Sequence, residues 1–381
     1  MKRIRLGIVM MALAGFVESF CAESWPGFKD TSYFPIAVWL QSPKNAERFK
    51  AAGVNTYVGL WRGPTEEQLA ELKASGMKIV CDQNSVALAH KDDPAIIAWM
   101  QDDEPDNAQS LGQGKGYGPP ILPEKVIARY EEMRARDSSH PILLNLGQGV
   151  AWDQYIGRGV RRNHPEDYAD YVKGGDIVSF DIYPATHDHK DIKGKLESVA
   201  HGVERLKKWA GPDRIVWNCI EAKLAENSRV SPEQLRAEVW MSLIRGSRGI
   251  IYFVHQFKPV FREASVFEDP KLLAGMTAVN KQIAELAPVL NSDSVEGAVT
   301  LKAPDDAPVA SMAKRRGNDL YVFVVAMLDR GGKVAFDVKG ASGEQKIDVL
   351  GEDRAITGRD GRFTDELAGY GVHLYRLTTG R

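Results

Sequence analysis

The chain has 381 residues, 44% of them hydrophobic, which suffices for one barrel-sized domain and a smaller companion. A net charge of −2 and a pI near 6.5 exclude a basic footprint for nucleic acid and a polybasic membrane segment. Eight Trp and twelve Tyr suit sugar-stacking platforms, although aromatic residues fill ordinary cores as well.

At the amino terminus Lys2, Arg3 and Arg5 precede an apolar run, Leu6 to Val17, too short to cross a bilayer as a helix. This is the layout of a secretory signal peptide over residues 1–22, with cleavage after Ser19 or Ala22. The expected destination is the periplasm or the medium, without stable membrane insertion. Phe20 before Cys21 departs from a lipoprotein signal. Cys81 and Cys219 fall in separate strands and are expected to be buried free thiols rather than a disulfide.

From residue 35 strands and helices alternate. Strands are expected at 35–40, 55–61, 77–82, 96–104, 141–146, 176–184, 214–221 and 249–256. Helices fall between them. Thr65 and Gln68 form a capping box at the start of one, and Ser231 with Pro232 opens another. Eight nearly continuous apolar strands separated by helices predict a (β/α)8 TIM barrel over 25–291. No glycine-rich phosphate loop follows the first strand, which disfavours an open doubly wound sheet. Beyond Pro288 short strands (297–301, 320–326, 333–338, 372–377) recur between turns without helices. They predict a small antiparallel β-sandwich over 292–381.

The most informative stretch is Ile96 to Pro105, where a buried strand runs into Asp102, Asp103 and Glu104 before a proline stops it. The carboxyl ends of barrel strands are where active sites are built. If Glu104 faces the mouth, alternation brings Asp102 with it; Glu221 would bring Trp217 and Cys219, and Tyr183 would bring Asp181 and Ser179. Two glutamates at the ends of strands four and seven are thus expected to face each other, with Tyr183 between them. Glycoside hydrolysis needs one carboxyl to protonate the leaving oxygen and a second to attack the anomeric carbon. Neighbouring anions would keep Glu104 protonated, and Tyr183 would orient an ionised Glu221. No cofactor is required.

Glu104-Pro105 after strand four, Glu221 after strand seven and Tyr183 after strand six resemble clan A of the retaining glycoside hydrolases. The resemblance implies Glu104 as acid/base, Glu221 as nucleophile and Tyr183 as its contact. It covers the barrel architecture and three strand ends, and a trailing β domain recurs in that clan. Asp103 stands where many members have Asn, and strand eight ends in His255, Gln256 and Phe257 where many have Trp. Trp39, Trp61, Trp152 and Trp217 are candidates for sugar stacking, with core packing equally expected of each. Asn145 and Gln148 after strand five, and Asp82 and Gln83 after strand three, are candidate hydroxyl binders or loop caps. His187 and His189 read as solvated loop residues rather than a metal pair, and no zinc or serine-hydrolase motif occurs. The reading is an exported retaining glycosidase acting on an oligo- or polysaccharide. The alternative is a non-catalytic carbohydrate-binding or scaffold protein on the same barrel.

Overall fold

The computed structural model describes residues 25–379, so the expected signal peptide and Cys21 lie outside the described residues. The barrel strands are β1 (Ile36–Trp39), β2 (Thr56–Val58), β3 (Lys78–Cys81), β4 (Ile96–Met100), β5 (Ile142–Leu146) and β6 (Ile177–Phe180). The seventh is split into β7 (Ile215–Val216) and β8 (Asn218–Glu221), and the eighth is β9 (Ile250–Phe253). All pairings are parallel in the order β7-β6-β5-β4-β3-β2-β1-β9-β8. The split strand closes the ring, because β7 pairs β6 and β8 pairs β9.

The break has a local cause. Trp217 N–H donates to Val178 O at 2.9 Å, whereas the next amide, Asn218, turns to Gly249 O at 3.2 Å. The Trp217 indole packs against Gly249 so closely that a Cβ there would stand 2.6 Å from the ring. The barrel interior is a dry core of alternate strand residues, among them Ala37, Val80, Ala98, Leu143, Ile177 and Ile251. A 3-10 turn, Pro26–Phe28, plugs the bottom, with Phe28 edge-on to Trp217 at 6.1 Å.

The outer helices include α1 (Ala46–Ala51), α2 (Glu66–Ala74), α3 (Ser85–Ala89), α4 (Pro123–Arg136) and α5 (Tyr168–Tyr171). They continue with α6 (Glu197–Ala210), α7 (Pro232–Ile244) and α8 (Pro270–Leu290). Both expected caps form: Thr65 and Gln68 bond reciprocally, and Ser231 pairs in the same way with Gln234. Pro288 does not end α8, which runs on to Leu290. Cys81 and Cys219 are free and buried.

The second sheet holds eight antiparallel strands, of which the sequence patterning gave four. They are β10 (Val299–Lys302), β11 (Val309–Arg316), β12 (Asp319–Ala326), β13 (Gly332–Val338), β14 (Glu344–Val349), β15 (Arg354–Arg359), β16 (Arg362–Leu367) and β17 (Val372–Thr378). Their order is β10-β13-β16-β15-β14-β17-β12-β11. The sheet folds over at β15/β16, joined only through Arg359 and Arg362, so that two layers enclose a core. In that core Phe336 stacks on Phe363 at 4.3 Å and Tyr375 meets both rings edge-on. The outer face of β12 packs on α7, where Phe323 stacks on Trp240 at 5.3 Å, and Arg236 reaches Val372 O at 2.7 Å.

Candidate active site

Strand β4 ends at Met100, before the acids, and the chain leaves it as a turn in which Glu104 takes φ = +44°. Strand alternation therefore does not carry through to the acids. Asp103 and Glu104 both line the mouth, while Asp102 turns away to lie beside Asp82. The Glu104 amide donates to Asn145 O at 3.0 Å, which fixes the turn against β5. Asn107 Nδ2 donates to Glu104 Oε2 at 2.8 Å.

Above these residues opens a cavity of about 860 Å³. Trp39, Tyr155, Tyr183, Phe253, Phe257 and Phe261 wall it with rings, and Asp103, Glu104 and Asp181 supply its acids. Asn145 ties two of these acids together. Its Nδ2 donates to Asp103 Oδ1 at 3.0 Å and to Asp181 Oδ1 at 2.7 Å, while its Oδ1 accepts from Ser179 Oγ at 2.7 Å. The two carboxyl oxygens consequently lie no further apart than those two bonds laid end to end. The Tyr183 hydroxyl donates to Asp181 Oδ2.

Three acids in one desolvated mouth cannot all ionise near neutrality. Burial, then Asp181, Asp103 and Asp106 hold the Glu104 carboxyl well above its ordinary range. Burial and the Asp181 charge push Asp103 up to about 7, tempered by the solvent it still meets in the open cavity. Asp181 is raised by burial but opposed by the donors Tyr183 and Asn145 and by the Lys223 ammonium, so among the three it is the best supported as an anion.

Glu221 does not share this mouth. Its carboxylate accepts from Ala185 N (2.6 Å), Thr186 N (3.1 Å) and Thr186 Oγ1 (2.5 Å), anchoring the loop after β6. It is fully buried, absent from the cavity wall, and turned toward Glu238 on α7. Neither oxygen of Glu238 meets a protein donor, and burial together with the Glu221 charge holds its carboxyl well above the ordinary range. Tyr183 and Phe253, stacked at 5.0 Å, line the cavity wall with the Lys223 ammonium 4.2 Å from the Tyr183 ring. The expected pairing of Glu104 with Glu221 is thus corrected: Asp181, from the end of β6, meets Glu104 and Asp103, and Tyr183 orients Asp181.

The remaining expected residues divide. Trp39 lines the cavity and Trp61, 66% exposed, forms its rim. His255 lines it too, its Nε2 3.1 Å from Gln41 Nε2 and its ring stacked on Phe257 and Phe261. Gln148 reaches the cavity and accepts from His187 Nε2 at 2.9 Å. Trp217 is excluded as a sugar platform, being sealed at the barrel bottom beside Phe28. Trp152 is buried under His187, His189 and Tyr155. Gln83 is buried on Met133 O. Tyr155 and Phe261 were not singled out from sequence, whereas Phe257 was noted at the end of strand eight; for Phe261 the recurrence of rings after β9 (Phe253, Phe257, Phe261) was the available signal.

No family model matches the sequence, and no curated protein matches it. Solved structures share its architecture. An alpha-amylase from Geobacillus thermoleovorans, complexed with acarbose, is 11% identical with a TM-score of 0.56 over 92% of this chain and 99% of that one. Alpha-galactosidase I from Mortierella vinacea is 10% identical with a TM-score of 0.56 over 92% and 99%. AmyP in complex with maltotriose is 10% identical with a TM-score of 0.57 over 93% and 98%. At such identities the likeness is one of fold: a parallel barrel carrying a C-terminal antiparallel sheet.

Proposed function

We propose that the protein is an exported retaining glycoside hydrolase acting on an oligo- or polysaccharide, with Asp181 as nucleophile and Glu104 as general acid, then base. The observation that carries this reading is that Glu104 and Asp181 line one aromatic-walled cavity, where Asp181, tied to Asp103 through Asn145, is the charge that acts most strongly on Glu104. Carboxyls about 5–5.5 Å apart suit double displacement, and wider spacing suits inversion. Asp181, whose carboxylate Tyr183, Asn145 and Lys223 favour against the burial that raises its pKa, attacks the anomeric carbon. Glu104, held protonated by burial and by its anionic neighbours, gives its proton to the departing oxygen. With that proton gone, Glu104 takes one from water, which opens the glycosyl ester on Asp181. Neither step needs a cofactor. The charged leader sequence, Lys2 to Val17, supports export.

The test is a panel of activated aryl glycosides followed by nuclear magnetic resonance of the first-formed anomer. Retention is expected, and Glu104→Gln is expected to lose about 10²–10⁴-fold in kcat on substrates with poor leaving groups. Inversion, or unaltered turnover by both Asp181→Asn and Glu104→Gln, contradicts the reading. Calorimetric sugar binding without turnover would instead favour a binding protein.

A further inference from the structure

The cavity over Glu104 and Asp181 carries more acid than double displacement uses. Asp103, Glu104, Asp181 and Glu263 all line it, and among the described residues no lysine or arginine does. His255, also in the wall, adds no positive charge at neutral pH, because burial and then the Lys223 ammonium lower its pKa. The cations of the adjoining segments are engaged elsewhere. Lys223 lies against the Tyr183 and Phe253 rings at 4.2 and 5.0 Å and is not part of the wall. Arg262 pairs with Glu268, and Arg62 lies over the Trp61 indole at 5.7 Å.

Asp103 is tied to Asp181 through Asn145, whereas Glu263 stands outside that network. Glu263 follows β9, and one of its carboxylate oxygens accepts from Ser42 N at 2.6 Å, which joins the loop after β9 to the loop after β1. No cationic side chain lies within ion-pair distance of it among the described residues. Beside it Gln41, 1% exposed, forms part of the same wall. The Gln41 Nε2 donates to Glu263 O at 2.8 Å and to His255 Nε2 at 3.1 Å, which fixes the orientation of the amide, and its Oε1 meets no donor. Phe257 and Phe261 stand over this corner, 5.8 Å apart and each stacked on His255. Both rings wall the cavity and are nevertheless 64% and 58% exposed.

Two acceptors and two open aromatic faces select among sugars. A neutral sugar filling the cavity strips the Glu263 carboxylate of water and returns only a hydroxyl donor, with no counter-charge. A uronic or sulfated sugar sets a further anion among the acids. An ammonium group offers several donors at once, balances the charge and gains from the negative faces of the phenyl rings. We propose that the substrate is an oligosaccharide of 2-amino-2-deoxyhexose with free amines, one ammonium being held by Glu263 and Gln41 against Phe257 and Phe261. This rests on the glycosidase reading and adds the sugar class to it; Glu263 takes no part in breaking the bond.

Calorimetry on the full chain carrying Glu104→Gln, which spares the ligand from cleavage, tests it at pH 6. The probes are the β-1,4-linked tetrasaccharides of glucosamine, N-acetylglucosamine and glucose, which differ only in the ammonium, acetamide or hydroxyl at C2. A galactosamine and galactose pair covers the other epimer. In at least one series the amine is expected to bind about tenfold or more tightly than the hydroxyl sugar, an advantage that shrinks as salt is added. Adding Glu263→Gln should erase that advantage while the melting temperature holds, because the amide oxygen still accepts from Ser42 N. Equal binding of amine and hydroxyl sugars, an advantage that survives Glu263→Gln, or no binding of any tetrasaccharide overturns the proposal. Retaining turnover of neutral glycosides without an amine preference would sink this assignment alone. Amine binding without turnover by the unaltered chain would sink the hydrolase reading and leave the amine site standing.

Discussion

A single amide, Asn145, directs one hydrogen at Asp103 and the other at Asp181, and Ser179 holds its oxygen so that it cannot turn over. Removing it leaves the two carboxyls facing each other without a donor between them. In Asn145→Leu the Asp181 pKa is expected to rise, moving the acid limb of the kcat/KM profile to higher pH and lowering kcat about 10-fold or more. A limb that stays in place would show that the bridge has no electrostatic role. Asp181 and Glu221 are separated by a sharper comparison. Asp181→Asn should abolish turnover. Glu221→Gln should keep most of it while costing about 1–3 kcal/mol of stability, because Glu221 anchors the amides of Ala185 and Thr186 from a buried position. Kinetics and thermal melts of the two variants, side by side, decide this. The sequence located Glu104, Tyr183 and Asp181 at one mouth but expected Glu221 to share it, whereas Glu221 lies buried outside the cavity wall. It carried no sign that Thr186 and Glu238 would claim Glu221, since both contacts span segments far apart in the chain.

At the scale of elements, the long loops after β4 and β5 are held by charge. Asp106 is fully buried, accepting from Tyr168 OH at 2.7 Å and Gly147 N at 2.8 Å, with Arg158 Nη1 3.9 Å away. Arg158, 2% exposed, also pairs with Asp167 at 2.5 Å, and Arg161 joins the same carboxylate. Breaking such a pair strands a buried charge. Arg158→Met is expected to cost about 3–5 kcal/mol and to raise hydrogen exchange across 148–167. A variant as stable and as protected as wild type would remove this account of the loop. Strand order and helix positions were readable because periodicity and caps are local; the split in the seventh strand was not, because it depends on Gly249 making room for Trp217. Likewise β11, β14, β15 and β16 alternate polar and apolar residues over short spans rich in charge, and only pairing with neighbours identifies them.

For the whole molecule, the mouth acids set the pH dependence of stability. Burial and the Asp181 charge raise Asp103 from its ordinary 3.8 to about 7, and Glu104 is raised in the same direction, so the folded chain binds more protons than the unfolded chain over that range. Stability contributed by their protonated forms is complete below pH 3.8 and declines as pH climbs through about 7. Asp137 and Asp167, held below the ordinary range, act oppositely and lose their contribution only in stronger acid. The melting temperature is therefore expected to be higher at pH 5 than at pH 8. The difference should shrink in Asp103→Asn with Glu104→Gln, a variant gaining about 0.5–2 kcal/mol at neutral pH while losing activity. A melting temperature that rises steadily from pH 5 to 8 contradicts this. The two sheets should also melt together, because Trp240 and Phe323 bury one continuous face between them.

The most direct test of the central claim is azide rescue of Asp181→Ala on an activated glycoside. The account expects almost no turnover without azide, and with it a restored rate and a glycosyl azide of inverted anomeric configuration relative to the substrate. Full activity of Asp181→Ala without azide, or rescue confined to Glu221→Ala, would contradict it.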